Sequence, residues 1–190
     1  LDRFNGTEKR NPHRFIWCSS PDRGLEEVLN MWGDIKKALS DAELHIYYGW
    51  EYFDSTLHIK EQREFKARIL ELLKQDGVSW KGRIGQVQLA REMQGAGVML
   101  YPPHSFRETY GIAFLEAQAA GVICFYRQNG ALGETIGNRG IPLPMDSTKE
   151  QIIEKLVKVL SDTERCGTII REGKKYAEER GWEKQAEKLL

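Results

Sequence analysis

The alternation of short apolar runs with longer segments of helical periodicity constrains the fold of this chain more than any other feature. Six runs have the length and composition of buried strands, at residues 15–18, 44–48, 78–80, 98–101, 122–126 and 141–144. The segments between them place apolar residues on one helix face, as in the stripe Leu25, Val28, Leu29, Trp32, Ile35 and Leu39. Strands that alternate with helices form βαβ units with parallel strands. The sequence therefore predicts an α/β fold with a Rossmann-like, mainly parallel sheet and helices on both faces.

The composition is that of one globular domain. The chain has 190 residues, of which 41% are hydrophobic, and its 28 basic and 28 acidic side chains cancel. This balance gives no reason to expect nucleic acid or an anionic membrane as a partner. No apolar run approaches the roughly 20 residues that span a bilayer. Attachment to a membrane surface would have to come from a part of the protein outside this chain.

The cysteines indicate a reducing compartment. Cys18, Cys124 and Cys166 are odd in number, lie far apart and show no metal-ligand spacing. We therefore expect a cytoplasmic protein with free thiols. The chain carries no signal peptide and begins without a methionine, so we expect it to be a piece of a longer protein.

Residues 107–121, between the fourth and fifth apolar runs, contain a turn and a predicted helix. Glu108 and Glu116 are eight positions apart, so on a single helix they would lie about 80° apart and roughly 12 Å along its axis. We therefore place Glu108 in the turn and Glu116 within the helix. The amides of Tyr110, Gly111 and Ile112 then lie at the helix N-terminus. Free N–H groups and the positive end of the helix dipole favour an anion there.

The string from Tyr101 to Gly121, with its paired glutamates followed by Ala-Gln-Ala-Ala-Gly, resembles the signature of the family-four retaining glycosyltransferases. In that family the signature lies in the C-terminal, donor-binding half of a GT-B fold. The resemblance covers nearly the whole chain. It implies that this chain is one half of a GT-B enzyme and binds a nucleoside-diphosphate sugar, such as a UDP- or GDP-sugar. It also implies an N-terminal acceptor-binding domain outside the chain, and neither a cofactor nor a metal.

The resemblance assigns roles to the central stretch. Glu108 would lie near the donor sugar as the catalytic carboxylate, and Glu116 would bind the ribose hydroxyls. The other donor-binding residues of this stretch would be Thr109, Tyr110, Gly111 and Ile112. Neither glutamate is assigned as a nucleophile, because the family is generally described with a front-face mechanism, unlike the retaining glycosidases.

The turn after the first predicted strand lies at a carboxyl strand end, where open α/β sheets bind ligands. Its Ser-Pro-x-Arg-Gly-Leu pattern resembles the first loop of the family, in which a basic residue before glycine meets the donor diphosphate. The donor-binding residues implied here are Ser19, Ser20, Arg23 and Gly24. Trp17 stands where the family often carries a second arginine, which leaves the phosphate clamp one charge short.

Other segments also resemble parts of the family. Gly82, Arg83 and Ile84 follow the third predicted strand, where the family places a loop against the base of the donor. Residues 129–134 resemble a glycine-rich turn beside the donor, and residues 1–4 resemble the segment that joins the two halves. Trp182 and the residues after it resemble a tail that returns to the N-terminal half. We expect residues 1–12 to form an interdomain linker or lead-in and residues 13–190 to form the nucleotide-sugar-binding domain with its C-terminal helices.

Two other functions remain open at this point. A dinucleotide-binding Rossmann domain would share the fold, but the first loop lacks the Gly-x-Gly-x-x-Gly fingerprint. A nucleotide-binding module could keep the fold without transferase activity, because a fold does not establish a reaction. The four histidines do not cluster in the sequence, and His104, the nearest to the central stretch, is assigned no role.

Overall fold

The computed structural model describes residues 2–4, 6, 8–55, 58–103, 107–181 and 184, without the side chains of Asp2 and Tyr52. His104 and Trp182, which the sequence analysis considered, lie outside the described residues.

The strands are β1 (Asn11–Trp17), β2 (Glu43–Ile46), β3 (Val78–Trp80), β4 (Ala96–Tyr101), β5 (Ile123–Arg127) and β6 (Ile141–Leu143). They form one sheet in the order β3-β2-β1-β4-β5-β6, and every neighbouring pair is parallel. The predicted Rossmann-like sheet is therefore confirmed. The chain leaves β1 toward one edge of the sheet and later leaves β4 toward the other, so the strand order reverses between these two neighbours.

The helices are α1 (Leu25–Ala38), α2 (Glu51–Ser55), α3 (Lys60–Leu72), α4 (Gln86–Gly95), α5 (Ile112–Ala120), α6 (Leu132–Thr135), α7 (Lys149–Leu160) and α8 (Thr163–Glu178). Short turns of 3-10 helix occur at Asp2–Phe4, Pro21–Arg23 and Gly137–Arg139. Within the part of the chain that the structure describes, no helix combines the length and the apolar character needed to cross a membrane.

The helices form a layer on each face of the sheet. α1 contacts α3 and α7, whereas α5 contacts α4 and α8. Right-handed crossovers place α1 and α5 on opposite faces, because the chain runs in opposite directions along the sheet through them. α5 is the most enclosed of these helices, with six of its nine residues buried. A helix that is apolar on all sides is stable only between other elements, which is where α5 lies.

The predicted strands and helices correspond to observed elements with differences near their ends, whereas the short helices α2 and α6 were not predicted. β1 begins at Asn11, inside the segment predicted as a lead-in, and it ends at Trp17. The residues from Ser147 to Glu150 fit a capping box in the sequence, but the box forms one residue later, between Thr148 and Gln151. The N–H of Ser147, which a box at that residue would need as donor to Glu150, instead donates to the carbonyl of Pro144 at 3.1 Å.

Short strands form both edges of the sheet. β3 and β6 contain three residues each, and Pro142 lies at the centre of β6. Pro142 is exposed, and its carbonyl accepts a hydrogen bond from Lys155 Nζ at 2.7 Å. Ile141 and Leu143, on either side, are buried in the core.

The lead-in before β1 packs against the domain. Phe4 is 6% exposed and belongs to the hydrophobic core. Arg10 donates to the carbonyls of Ala120 and Gly121, where α5 ends. These contacts bring the start of the chain close to the helix that carries Glu116.

Candidate functional site

A cleft of about 290 Å³ opens at the carboxyl ends of β1 and β4. Open α/β sheets bind ligands at the point where the strand order reverses, and these two strands flank that point. Three loops and the first turn of α5 supply the lining. The lining residues are Cys18, Ser19, Ser20, Arg23, Tyr48, Glu108, Thr109, Tyr110, Gly111, Ile112, Ala113 and Phe114. The structure thus brings together most of the side chains that the sequence assigned to the site.

The first loop, residues 18–24, bends through the turn of 3-10 helix at Pro21–Arg23. Gly24 ends this turn and precedes α1 with φ of 107°, in the left-handed region that favours glycine. A Cβ atom at this position would lie 2.6 Å from Cβ of Pro103. Gly24 therefore packs against the loop after β4 and does not line the cleft, although the sequence assigned it to the donor.

Trp17 braces the first loop. Its indole N–H donates to the carbonyl of Ser19 at 2.7 Å, and its ring stacks on Tyr101 with the centroids 5.4 Å apart. Trp17 is 2% exposed, so it brings neither a charge nor an accessible surface to the cleft. The positive charge that this loop supplies is therefore that of Arg23.

The N-terminus of α5 forms one wall of the cleft. Gly111 is the N-cap, with φ of 81°, and among the described residues no side chain caps the helix. Within the same residues, the amides of Tyr110, Gly111, Ile112 and Ala113 donate to no carbonyl. Four N–H groups and the positive end of the helix dipole are thus available to an anion, as the sequence predicted for three of them.

Arg23 and Glu108 face each other across the cleft. Arg23 Nη1 lies 3.8 Å from Glu108 Oε2, which is close enough for attraction and too long for a hydrogen bond. The Arg23 side chain is 41% exposed and that of Glu108 only 10%. The backbone of Glu108 is also fixed, because its carbonyl accepts from the N–H of Ala131 at 2.8 Å. The guanidinium is therefore accessible to a ligand in the cleft, whereas the carboxylate is largely buried.

Glu116 lies outside the cleft lining, in an ion pair with Arg3 of the lead-in. Arg3 also donates to Gln86 Oε1 at 2.8 Å, at the start of α4. Burial and, after it, the charge of Glu116 raise the pKa of the Cys18 thiol to about 12. Cys18 is therefore a neutral thiol at physiological pH. Since Cys18 lines the cleft, the charge of Glu116 influences the cleft from outside its lining.

The loop after β3 also lies outside the cleft lining. Gly82, Arg83 and Ile84, predicted to contact the base, follow an edge strand separated from β1 by β2. Gly82 has φ of 71°, and a Cβ atom there would meet no atom of the described residues within 4 Å. Gly82 thus faces open space, while Ile84 packs against the core, and the contact of this loop with a base stays a prediction.

Four residues that the sequence analysis did not assign to the site line the cleft: Cys18, Tyr48, Ala113 and Phe114. Cys18 and Tyr48 follow β1 and β2, although both were predicted as the last residues of strands. Neighbouring parallel strands end at the same edge of the sheet, so the residues that follow β2 lie beside those that follow β1. Had the second strand been predicted to end before Tyr48, this rule would have assigned Tyr48 to the site. Ala113 and Phe114 belong to the first turn of α5, and only its backbone had been considered.

The described residues contain no group of three or more histidine, cysteine, aspartate or glutamate side chains arranged to hold a metal ion. All three cysteines are described, and all are free thiols. Burial raises the pKa of Cys124 and, more modestly, that of Cys166.

The model of the family described as "Glycosyl transferases group 1" matches residues 15–176. The chain belongs to this glycosyltransferase family. The match runs from the middle of β1 to α8, so it contains the whole sheet except the first residues of β1. None of the curated proteins compared with the chain matches it significantly.

Solved GT-B glycosyltransferases share the fold of this glycosyltransferase domain. Sucrose-phosphate synthase from Thermosynechococcus elongatus is 19% identical, with a TM-score of 0.65 over 87% of this chain and 41% of its own. WaaG, a glycosyltransferase of lipopolysaccharide biosynthesis, is 17% identical, with a TM-score of 0.67 over 90% of this chain and 44% of its own. Anabaena HepE, solved with UDP and glucose, is 16% identical, with a TM-score of 0.66 over 90% and 44%. The chain thus spans less than half the length of these relatives.

Proposed function

We propose that this chain is the donor-binding domain of a retaining glycosyltransferase and that its cleft binds the diphosphate of a nucleotide sugar. One observation carries the proposal: the free amides at the N-terminus of α5 and the Arg23 guanidinium line the same cleft. Both are donors suited to phosphate oxygens, and both bring positive charge. Because the chain belongs to a glycosyltransferase family and has its fold, this anion site suits the diphosphate of a sugar donor.

The chemistry that this cleft supports is the departure of a diphosphate. Charge builds up on the diphosphate as the bond to the sugar breaks, and fixed donors stabilise that charge without having to reorganise. The amide of Ile112 is held at the first residue of α5, next to that of the N-cap Gly111, and Arg23 adds a positive charge. Glu108, 3.8 Å from Arg23, would then lie at the sugar end of the diphosphate.

The proposed role of Glu116 is to bind the ribose hydroxyls of the donor. A carboxylate can accept hydrogen bonds from two neighbouring hydroxyls. Since Arg3 is paired with Glu116 in this structure, a nucleotide that used this carboxylate would compete with Arg3 or share the carboxylate with it. The proposed donor is a UDP- or GDP-sugar, and HepE, solved with UDP and glucose, is a relative of the same fold.

Transfer itself is proposed for the whole protein, with an acceptor-binding domain outside this chain. We propose a retaining reaction without a metal or cofactor. We also propose a cytoplasmic location, which the three free thiols support.

A panel of nucleotides tests the proposal. The chain is heated with UDP, GDP, ADP, their sugar conjugates or NAD, and its melting temperature is measured. A ligand at a hundred times its Kd adds about 2.7 kcal/mol to the free energy of unfolding. We expect a nucleoside diphosphate and its sugar conjugate to raise the melting temperature and NAD to leave it unchanged. A shift with NAD alone would identify a dinucleotide-binding domain, and no shift with any ligand would refute the proposed site.

A further inference from the structure

The segment from Gly130 to Thr135 supports the loop that carries the proposed anion site. Besides the bond from the Ala131 amide to the Glu108 carbonyl, a parallel β-bridge joins Glu108 to Gly130. This contact is so close that a Cβ atom at Gly130 would lie 2.1 Å from the Glu108 carbonyl oxygen. These contacts hold the backbone of Glu108 in place.

The same segment reaches the N-cap of α5 through the side chain of Leu132. Leu132 is fully buried, and a Cβ atom at Gly111 would lie 2.9 Å from its Cδ2 atom. Gly111 therefore packs against this leucine and also lines the cleft. Leu132 of α6 and the N-cap of α5 are therefore in direct contact.

Thr135 makes the third contact, and it is the only one of the three that depends on a polar side chain. Its hydroxyl donates to the carbonyl of Tyr110. Thr135 is 5% exposed, so this bond is shielded from water. A buried hydroxyl without an acceptor would be costly, and the Tyr110 carbonyl supplies that acceptor.

The direction of this bond determines where the next amide points. The peptide between Tyr110 and Gly111 is planar and trans, so its C=O and N–H groups point in opposite directions. The Tyr110 carbonyl points to the hydroxyl of Thr135, which is buried and does not line the cleft, so the N–H of Gly111 points the opposite way, toward the cleft that Gly111 lines. A single buried hydroxyl thus sets the orientation of a central donor of the site.

We propose that Thr135 is a positioning residue that holds the Gly111 amide in the orientation required to bind the diphosphate. This inference rests on the proposed function, since it assigns a role within the same anion site. Thr135 itself touches no ligand and acts through the peptide of Tyr110 and Gly111.

The test compares Thr135→Val, which keeps the shape and removes the hydroxyl, with Thr135→Ser, which keeps the hydroxyl. Thr168→Val is the matched control, because Thr168 also donates to a backbone carbonyl, that of Glu164, on the exposed side of α8. The probe is inorganic pyrophosphate, titrated into the whole chain while the ¹H–¹⁵N signals of Gly111 and Ile112 are followed. We expect Thr135→Val to bind about two- to tenfold more weakly, and both Thr135→Ser and Thr168→Val to bind like the parent chain.

A second readout needs no ligand. Loss of the bond to the Tyr110 carbonyl should move the carbonyl ¹³C signal of Tyr110 and the ¹⁵N signal of Gly111 in Thr135→Val, and Thr135→Ser should restore them. If Thr135→Val proves unstable, Thr135→Ala against Thr135→Ser makes the same comparison. Unmoved signals, or equal pyrophosphate affinity for the valine and serine variants, would overturn the role of Thr135 while leaving the anion site intact. Failure of the parent chain to bind pyrophosphate would instead refute the proposed site and the role of Thr135 with it.

Discussion

Arg23 is the one basic side chain that lines the cleft among the described residues, and its contribution is separable from that of the backbone. Arg23→Ala removes a charge-assisted phosphate contact worth about 1.5–3 kcal/mol, or roughly tenfold to a hundredfold in affinity. We expect this loss for UDP, with no comparable loss for uridine, in calorimetric titrations. Arg171→Ala, on the exposed surface of α8, serves as the control. Equal losses for nucleotide and nucleoside would show that Arg23 does not touch phosphate.

The two glutamates should respond differently to neutralisation. Glu116→Gln keeps the size but removes the charge and one of the two acceptor oxygens of the proposed ribose ligand, so we expect weaker binding of both UDP and a UDP-sugar, by roughly tenfold to a hundredfold. Glu108→Gln should leave UDP binding almost unchanged, because Glu108 lies at the proposed sugar end of the cleft. In the complete enzyme it should lower turnover. Titration of both variants with both ligands checks this, and the reverse pattern would exchange the two roles.

At the scale of single residues, the sequence was informative where a role depends on the backbone. Gly111 and the amides beside it were predictable because a helix N-terminus can be recognised from local pattern. The pairing of Glu116 with Arg3 and the bond from Thr135 to Tyr110 were not predictable. They join residues 113 and 25 positions apart, and only the packed fold brings such residues together.

An ion pair between Asp34 of α1 and Lys149 of α7 links these two helices, and its contribution to the stability of the fold should depend on pH. Hydrogen bonds from Lys149 and then Lys37 lower the pKa of Asp34 from 3.8 to about 2. A carboxylate with a lowered pKa in the folded state stabilises that state above its unfolded pKa, and this contribution disappears as the pH falls toward the folded pKa. Asp34→Asn should therefore be less stable than the parent chain above about pH 4, with the difference vanishing near pH 2.

Urea unfolding at several pH values measures this difference. Asp34 is solvent-exposed, so the effect should be small and should shrink with added salt. Asp146→Asn, at an exposed position between β6 and α7, provides the control. A stability difference that stayed constant from pH 7 to pH 2 would show that the ion pair does not link the two helices energetically.

At the scale of elements, the order of the strands and the longer helices followed from the sequence, whereas the short helices α2 and α6 and the ends of several elements did not. The six apolar runs correspond to the six strands because buried parallel strands are apolar throughout. The ends depend on local competition for hydrogen bonds. Ser147 and Thr148 are both good caps, and the turn at Pro144 engages the N–H that a capping box at Ser147 would need, so Thr148 is the N-cap of α7 and forms the box.

In the relatives of known structure, the part that matches this whole chain is less than half of a longer chain, for example 41% of sucrose-phosphate synthase. The proposed acceptor-binding domain, which lies outside this chain, would supply the remaining part of the donor site. We therefore expect the chain alone to bind a nucleoside diphosphate weakly and to transfer no sugar. A transfer assay with a radiolabelled donor measures this. Turnover by the purified chain would show that the cleft is complete without a second domain.

The edge of the sheet at β6 restricts how other chains can join this one. Strands are added to an exposed edge through outward-pointing N–H and C=O groups. At the centre of β6, Pro142 has no N–H to offer, and its carbonyl is already bonded to Lys155. A seventh strand, whether from another copy or from an extended peptide, would find neither a donor nor a free acceptor there. Addition of a strand at β6 is therefore disfavoured, and this edge is a poor template for growth into fibres.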